Sequence, residues 1–183
     1  MANKLKVLLV VAALGGGLYF AATSGVRWWV DMRLATAHAR RIVFELADRD
    51  GVVWKAAELR GKFVVLSFFR SQCEGCLAER DAIVALEERL DPDRAVLLSV
   101  MMDEVEEYPA EMTAATLERM DYHHPVVMAN AVFLRQFQGE RFAHVTPITW
   151  ILDDEGRVLS HLRGRHDLAE MVAEIPPAAL RQQ

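Results

Sequence analysis

Only two cysteines occur in the chain, Cys73 and Cys76. A secreted scaffold stapled by disulfides would use more of them, more widely spread. A structural zinc site takes four ligands, and no second cysteine pair exists to complete one. Basic residues are also short, with 21 Lys and Arg against 26 Asp and Glu and a net charge of −5. Lys4 and Lys6 are the only charged residues before Arg27, so residues 27–183 carry that −5 less their +2, or −7. Phosphate backbones need clustered cations, and this balance excludes nucleic acid as a partner. Aromatics are sparse at 8%, and there is neither an internal repeat nor a low-complexity segment.

Long apolar runs are absent but for one. Lys4 and Lys6 precede Val7 to about Ala22, extended by Thr23, Ser24, Gly25 and Val26. Its roughly twenty residues suit a helix crossing a hydrocarbon core of about 30 Å. Trp28 and Trp29 follow at interface depth, beside Arg27. We read 1–26 as a membrane anchor. A cleaved signal peptide is the alternative, with Ala22-Thr23-Ser24 as a weak cleavage site. Arg27, Arg33, Arg40 and Arg41 would draw the following side inward. The very short lysine-bearing N-terminus argues for an anchor with its globular part outside the cytoplasm. Residues 27–41 read as a juxtamembrane helix or linker, 42–175 as the globular domain and 176–183 as a C-terminal tail.

Within 42–175 the apolar period sets the elements. Ile42–Ala47 alternates like a half-buried strand, Asp48-Arg49-Asp50-Gly51 turns, and Val52–Trp54 returns as a hairpin. Phe63–Phe69 (FVVLSFF) and Ala95–Met101 (AVLLSVM) are short continuous apolar runs, as in strands buried on both faces. Leu77–Leu90 between them has helical spacing. Strand, helix, strand implies a parallel βαβ unit with a right-handed crossover. Ala110–Met120 and Ala131–Phe137 read as helices. Thr149–Leu152 and Val158–Arg163 flank Asp153-Asp154-Glu155-Gly156 as a second hairpin. Asp167 caps a last helix through Glu174, ended by Pro176-Pro177.

The chemistry lies at the first strand-to-helix junction. In Cys73-Glu74-Gly75-Cys76 a separation of three brings both sulfurs to one face of the first helical turn. Unpaired N–H groups there stabilise a thiolate. Cys73, at the outer edge, is the expected nucleophile, and Cys76 the resolving thiol. Thr146-Pro147 comes just before a strand. A cis bond would present the Thr146 backbone toward the cysteines, whereas a trans proline at a strand start is the plainer reading.

Phe44 to Gly164 resembles the TlpA/ResA-type membrane-anchored thioredoxin-like proteins of bacteria. The matching pieces are the hairpin ending in Asp50-Gly51, Glu58-Leu59-Arg60-Gly61-Lys62, the Phe63–Phe69 strand, CEGC, and Thr146-Pro147 followed by Leu152-Asp153-Asp154-Glu155-Gly156. The resemblance implies an α/β thioredoxin fold with an N-terminal β-hairpin and an inserted helical segment, supplied by residues 103–140. It implies a protein disulfide reductase of the outer membrane face, often in cytochrome c maturation. Its single-pass anchor would sit in the inner (cytoplasmic) membrane, with the soluble domain in the periplasm. Its partners would be extracytoplasmic protein thiols and disulfides and a membrane thiol-reductase electron donor. It needs no cofactor beyond a redox-active Cys73–Cys76 disulfide. Glu79 matches an acid seen near the cysteines of that family and could take the Cys76 proton; an ordinary solvent-facing Glu is the alternative. Two positions depart from the pattern: Gln72 stands where Trp is usual and Gly75 where Pro is usual, which bears on reduction potential and direction.

Other side chains admit rival readings. His144, with Cys73 and Cys76, could complete a soft copper site as in Sco-like metallochaperones, which normally carry one more residue between the cysteines. His123-His124 before Pro125 reads as a surface loop. Met101, Met102, Met112, Met120 and Met128 read as core filler rather than copper ligands. Asp103-Glu104, Glu106 and Glu107 read as a solvated acidic loop that would repel acidic partners. A peroxidase of the peroxiredoxin type would need a Pro before its nucleophile, and Leu66–Gln72 has none.

Overall fold

A computed structural model describes residues 41–137 and 145–182. The anchor at 1–26, all of the 27–41 linker but Arg41, and His144 lie outside the described residues. Among those described, no helix is long and apolar enough to cross a membrane.

Among the described residues, seven strands and four α-helices follow one another as β1 (Glu45–Ala47), β2 (Val53–Lys55), β3 (Phe63–Phe69), α1 (Glu74–Arg89), β4 (Ala95–Met101), α2 (Ala110–Met120), β5 (Val126–Met128), α3 (Ala131–Leu134), β6 (Ile148–Leu152), β7 (Val158–Arg163) and α4 (Leu168–Glu174). A 3-10 turn at Pro177–Ala179 closes the chain. The main sheet runs β5-β4-β3-β6-β7, and β1 and β2 pair separately. β3 runs parallel to β4 and antiparallel to β6, so the expected βαβ crossover stands at its centre.

The two apolar runs sit centrally because they bury both faces. Side chains alternate across a strand. Val65 and Phe69 join Ile83 and Leu86 of α1, Met120, Tyr122 and Met171 on one face. Val64, Leu66 and Phe68 join Leu46, Val127, Phe133 and Leu152 on the other. Phe68, with none of its surface exposed, stacks on Phe133 at 5.9 Å and meets Phe137 edge-on at 5.1 Å. Met101, Met102 and Met120 are core, as expected.

The first hairpin is shorter than its alternating pattern. Ile42 and Leu46 do point inward. Regular pairing, however, stops at Glu45 opposite Lys55. Before that, Val43 N–H donates to Gln136 Oε1 at 2.8 Å and Ile42 N–H to Gly156 O at 2.8 Å, so the chain leaves its partner strand. Both acidic turns use one device: Asp48 Oδ1 accepts from Asp50 and Val52 N–H, and Asp153 Oδ1 from Glu155 and Arg157 N–H.

Several expectations need correction. α1 begins at Glu74, three residues earlier than its apolar period, because Cys73 caps it. α3 ends at Leu134 and is followed by a turn. Val126–Met128, unrecognised in the sequence, forms the edge strand β5, parallel to β4. The 103–140 segment therefore extends the sheet as well as adding helices. His124 is not a surface residue but 3% exposed. Its Nε2 lies 2.7 Å from Ser99 Oγ and its ring 4.6 Å from Tyr122. Of the acidic run, Glu104 and Glu107 are exposed as expected, and the other two are not. Asp103 is wholly buried and Glu106 has its side chain 8% exposed.

Candidate active site

β3 ends at Phe69, and Arg70, Ser71 and Gln72 carry the chain to α1. Gln72 takes a left-handed φ of 57°, which turns the backbone so that Cys73 becomes the N-cap. Cys73 Sγ accepts from Cys76 N–H at 3.1 Å and is disulfide-bonded to Cys76 Sγ, with the Cα atoms 5.3 Å apart. Cys73 is half-buried and Cys76 is 3% exposed. The pair therefore has the expected asymmetry, one sulfur reachable and one behind it. A thiolate released at Cys73 would face the free N–H groups and positive end of a 16-residue helix.

The Thr146–Pro147 bond is cis. Pro147 packs on the cysteine turn itself: a Cβ added to Gly75 would lie 3.0 Å from Pro147 Cδ. That approach gives a physical reason for glycine at this position. Pro147 O accepts from Gly164 N–H at 2.9 Å, and β6 starts at the next residue, so the loop is held from the sheet side.

Glu79, one turn beyond Cys76 and on its side of the helix, is 3% exposed. Burial pushes its carboxyl up from 4.5 to about 7 against the pull of the His166 backbone N–H, of His166 and of Arg165. Glu79 Oε1 accepts from that N–H at 2.8 Å. Burial and the nearby Glu79 charge also push the Tyr122 phenol up. A carboxyl that exchanges its proton near neutrality, next to a buried cysteine, can act as a local acid and base.

Arg70, Ser71 and Asp103 carried no recognisable sign of a place in the site in the sequence. Arg70 Nε donates to Thr146 Oγ1 at 3.1 Å, while Nη1 donates to Tyr108 Oη at 2.6 Å and Glu106 Oε2 at 3.1 Å. One guanidinium thus ties the cysteine turn to the proline loop and the inserted segment. Asp103 accepts from Ser71 N–H at 2.7 Å, Ser71 Oγ at 2.5 Å and Thr113 Oγ1 at 2.8 Å. Each is a polar residue in a loop, and its partner lies about 30 residues or more away in all but the Thr113 contact, beyond any local pattern.

Cys73 and Cys76 are bonded with Pro147 against the turn between them, Thr146 is tied to that turn through Arg70, and Glu79 follows Cys76 by one turn of α1 with its carboxylate on the His166 N–H. His144 lies outside the described residues, so the copper triad is not described. Among the described residues no group of three or more His, Cys, Asp or Glu is placed to hold a metal ion.

A thioredoxin-like α/β fold with a cysteine pair capping the first helix of its central βαβ unit defines the class. The chain belongs to the AhpC/TSA family, which it matches over residues 39–161. No curated protein matches it in sequence. Solved structures share its fold. StoA from Bacillus subtilis aligns with a TM-score of 0.61 and 17% identity over 74% of this chain and 98% of that one. A thiol:disulfide interchange protein of the thioredoxin family from Chlorobium tepidum gives 0.62 and 20%, over 76% and 97%. The exposed lipoprotein thioredoxin of Streptococcus pneumoniae gives 0.61 and 23%, over 72% and 96%.

Proposed function

We propose that the protein is a thiol–disulfide oxidoreductase that reduces disulfides in extracytoplasmic proteins, tethered to the cytoplasmic membrane by residues 1–26. The observation that carries the reading is a half-buried Cys73 capping α1, bonded to a buried Cys76, with Pro147 packed against the turn between them. The names of the structural neighbours, interchange protein and lipoprotein thioredoxin among them, support it.

The steps balance as follows. In the reduced protein the Cys73 thiolate attacks one sulfur of a substrate disulfide, and the substrate's other sulfur leaves as a thiolate and takes up a proton. The Cys76 thiol passes its proton to Glu79 and attacks Cys73 Sγ. That attack breaks the mixed disulfide, frees the second substrate thiol and restores the Cys73–Cys76 bond. A membrane thiol-reductase donor then reduces the pair. The backbone at Thr146 lines the path of an extended substrate chain. Maturation of cytochrome c, whose haem-binding thiols must be reduced, is a fitting task.

Insulin reduction tests the chemistry. Cys73→Ser should abolish turnover and Cys76→Ser should accumulate a mixed disulfide; reductase activity surviving in Cys73→Ser would sink the reading. The equilibrium with glutathione sets the direction, a low potential marking a reductase. The rival copper role is separated by titrating the reduced protein with Cu(I): stoichiometric binding lost in His144→Ala, beside weak disulfide exchange, would favour it. Fractionating cells that express the full chain tests the anchor, which predicts resistance to alkaline extraction.

A further inference from the structure

A recess of about 300 Å³ opens beside the disulfide on the side of α2, away from the structural partners of Glu79. Cys73, Cys76, Gln72, Thr116, Arg70 and Arg119 contribute to its wall. Its size suits a small molecule or one or two peptide side chains. Its charge differs from what the acidic run at 103–107 implies. Asp103 is used up on Ser71 and Thr113, and Glu106 on Arg70. Arg70 is held by three hydrogen bonds through Nε and Nη1, yet its Nη2 has no acceptor among the described residues. Arg119 also lines the recess, is exposed, and makes no ion pair or hydrogen bond among them. The one carboxylate on the wall is Glu74, which is exposed.

We propose that this recess selects disulfides bearing a carboxylate a few bonds from the reacting sulfur, with Arg119 and the free edge of Arg70 as the recognising groups. The inference rests on the disulfide-exchange reading and names its substrate chemistry. Guanidinium groups match carboxylates by geometry as well as charge, and Arg70 is fixed before the ligand arrives. In the exchange, Cys73 attacks the sulfur nearer the recess, the carboxylate-bearing half stays bound as the mixed disulfide, and Cys76 then releases it as a thiol. Two electrons pass from the protein dithiol to the substrate disulfide, leaving two substrate thiols and the Cys73–Cys76 bond.

The test uses three probes of matched length, 3,3′-dithiodipropionate, bis(2-hydroxyethyl) disulfide and cystamine, which are anionic, neutral and cationic. Rate constants for oxidation of the pre-reduced protein are read by alkylation and mass spectrometry. The anionic probe should react about tenfold faster than the cationic one at low salt. Arg119→Ala should shrink that ratio at least threefold, Arg119→Lys less, and 0.5 M salt should flatten it in the parent. A ratio cancels any common change in Cys73 reactivity. Equal rates for all three probes, or a ratio untouched by Arg119→Ala, would overturn the proposal while leaving disulfide exchange standing. Failure of every probe to oxidise the protein would overturn both. Disulfide-linked peptides with Glu or Lys flanking the cysteine identify the source. A Glu preference there extends the recognition to protein substrates, and its absence, with the small probes still discriminated, restricts it to low-molecular-weight disulfides.

Discussion

Replacing Glu79 with Gln should change how stability depends on pH, in a direction set by the burial of its carboxyl. The unfolded chain ionises Glu79 around its ordinary 4.5, whereas the folded protein keeps the proton until about 7. The folded state therefore binds more protons through that window, and stability falls as pH rises across it. The interval between 4.5 and about 7, at roughly 1.4 kcal/mol per pH unit, gives a penalty on the order of 3 kcal/mol by pH 8, against on the order of 1 kcal/mol at pH 5. Gln is neutral throughout and can still accept from the His166 N–H through its amide oxygen. Asp48 and Asp153, held low by hydrogen bonds that outweigh their burial, and His124, held low by burial, titrate alike in both proteins and cancel. Urea unfolding of the oxidised parent and Glu79→Gln at pH 5 and pH 8 should thus show the variant gaining roughly 2–3 kcal/mol on the parent between the two. Parallel pH dependences would refute the raised pKa, and with it the claim that Glu79 can trade protons with Cys76 near neutrality.

Other outcomes follow from the same contacts. Gly75→Ala places a methyl 3.0 Å from Pro147 Cδ, and should cost about 1–2 kcal/mol in urea unfolding as the proline loop gives way. Asp103→Ala strips three donors of their acceptor in a fully buried spot, and should lower stability by about 2–4 kcal/mol; a loss below about 0.5 kcal/mol in denaturant titration would count against that account. Phe68→Ala should cost about 3–5 kcal/mol, since no surface of Phe68 is exposed and the rings of Phe133 and Phe137 lean on it. Asp167→Ala removes the side-chain half of the capping box on α4, the acceptor of the Glu170 N–H, and should cost about 1 kcal/mol by thermal unfolding.

Much of this architecture is written in local pattern. The Phe63–Phe69 and Ala95–Met101 runs announce buried strands because each face meets a core, and Asp167 with Glu170 announces a helix start through bonds three residues apart. The cysteine turn is legible for the same reason: spacing and position already state the geometry. What the sequence conceals is settled by distant partners. β5 has three residues, too few to display a period, and becomes a strand because Met101 and Val100 offer it an edge. His124 looks like loop surface beside Pro125, but Ser99, Tyr122 and Glu87 enclose it. The acidic run reads as solvated until Arg70 and Ser71 claim Glu106 and Asp103 across more than thirty residues.

The last residues of the chain reach back to the far end of the redox helix. Asp91 N–H donates to Ala179 O, Arg181 N–H to Arg89 O, and Arg181 Nε to Leu90 O. α1 is thereby braced like a beam seated at both supports, with the sulfur bridge at one end and the closing peptide at the other. A tag or truncation placed after Glu174 would loosen a strut more than twenty ångströms of helix away from the chemistry, given about 1.5 Å of rise per residue. Truncation there also strips the core of the buried Ile175 and Ala179.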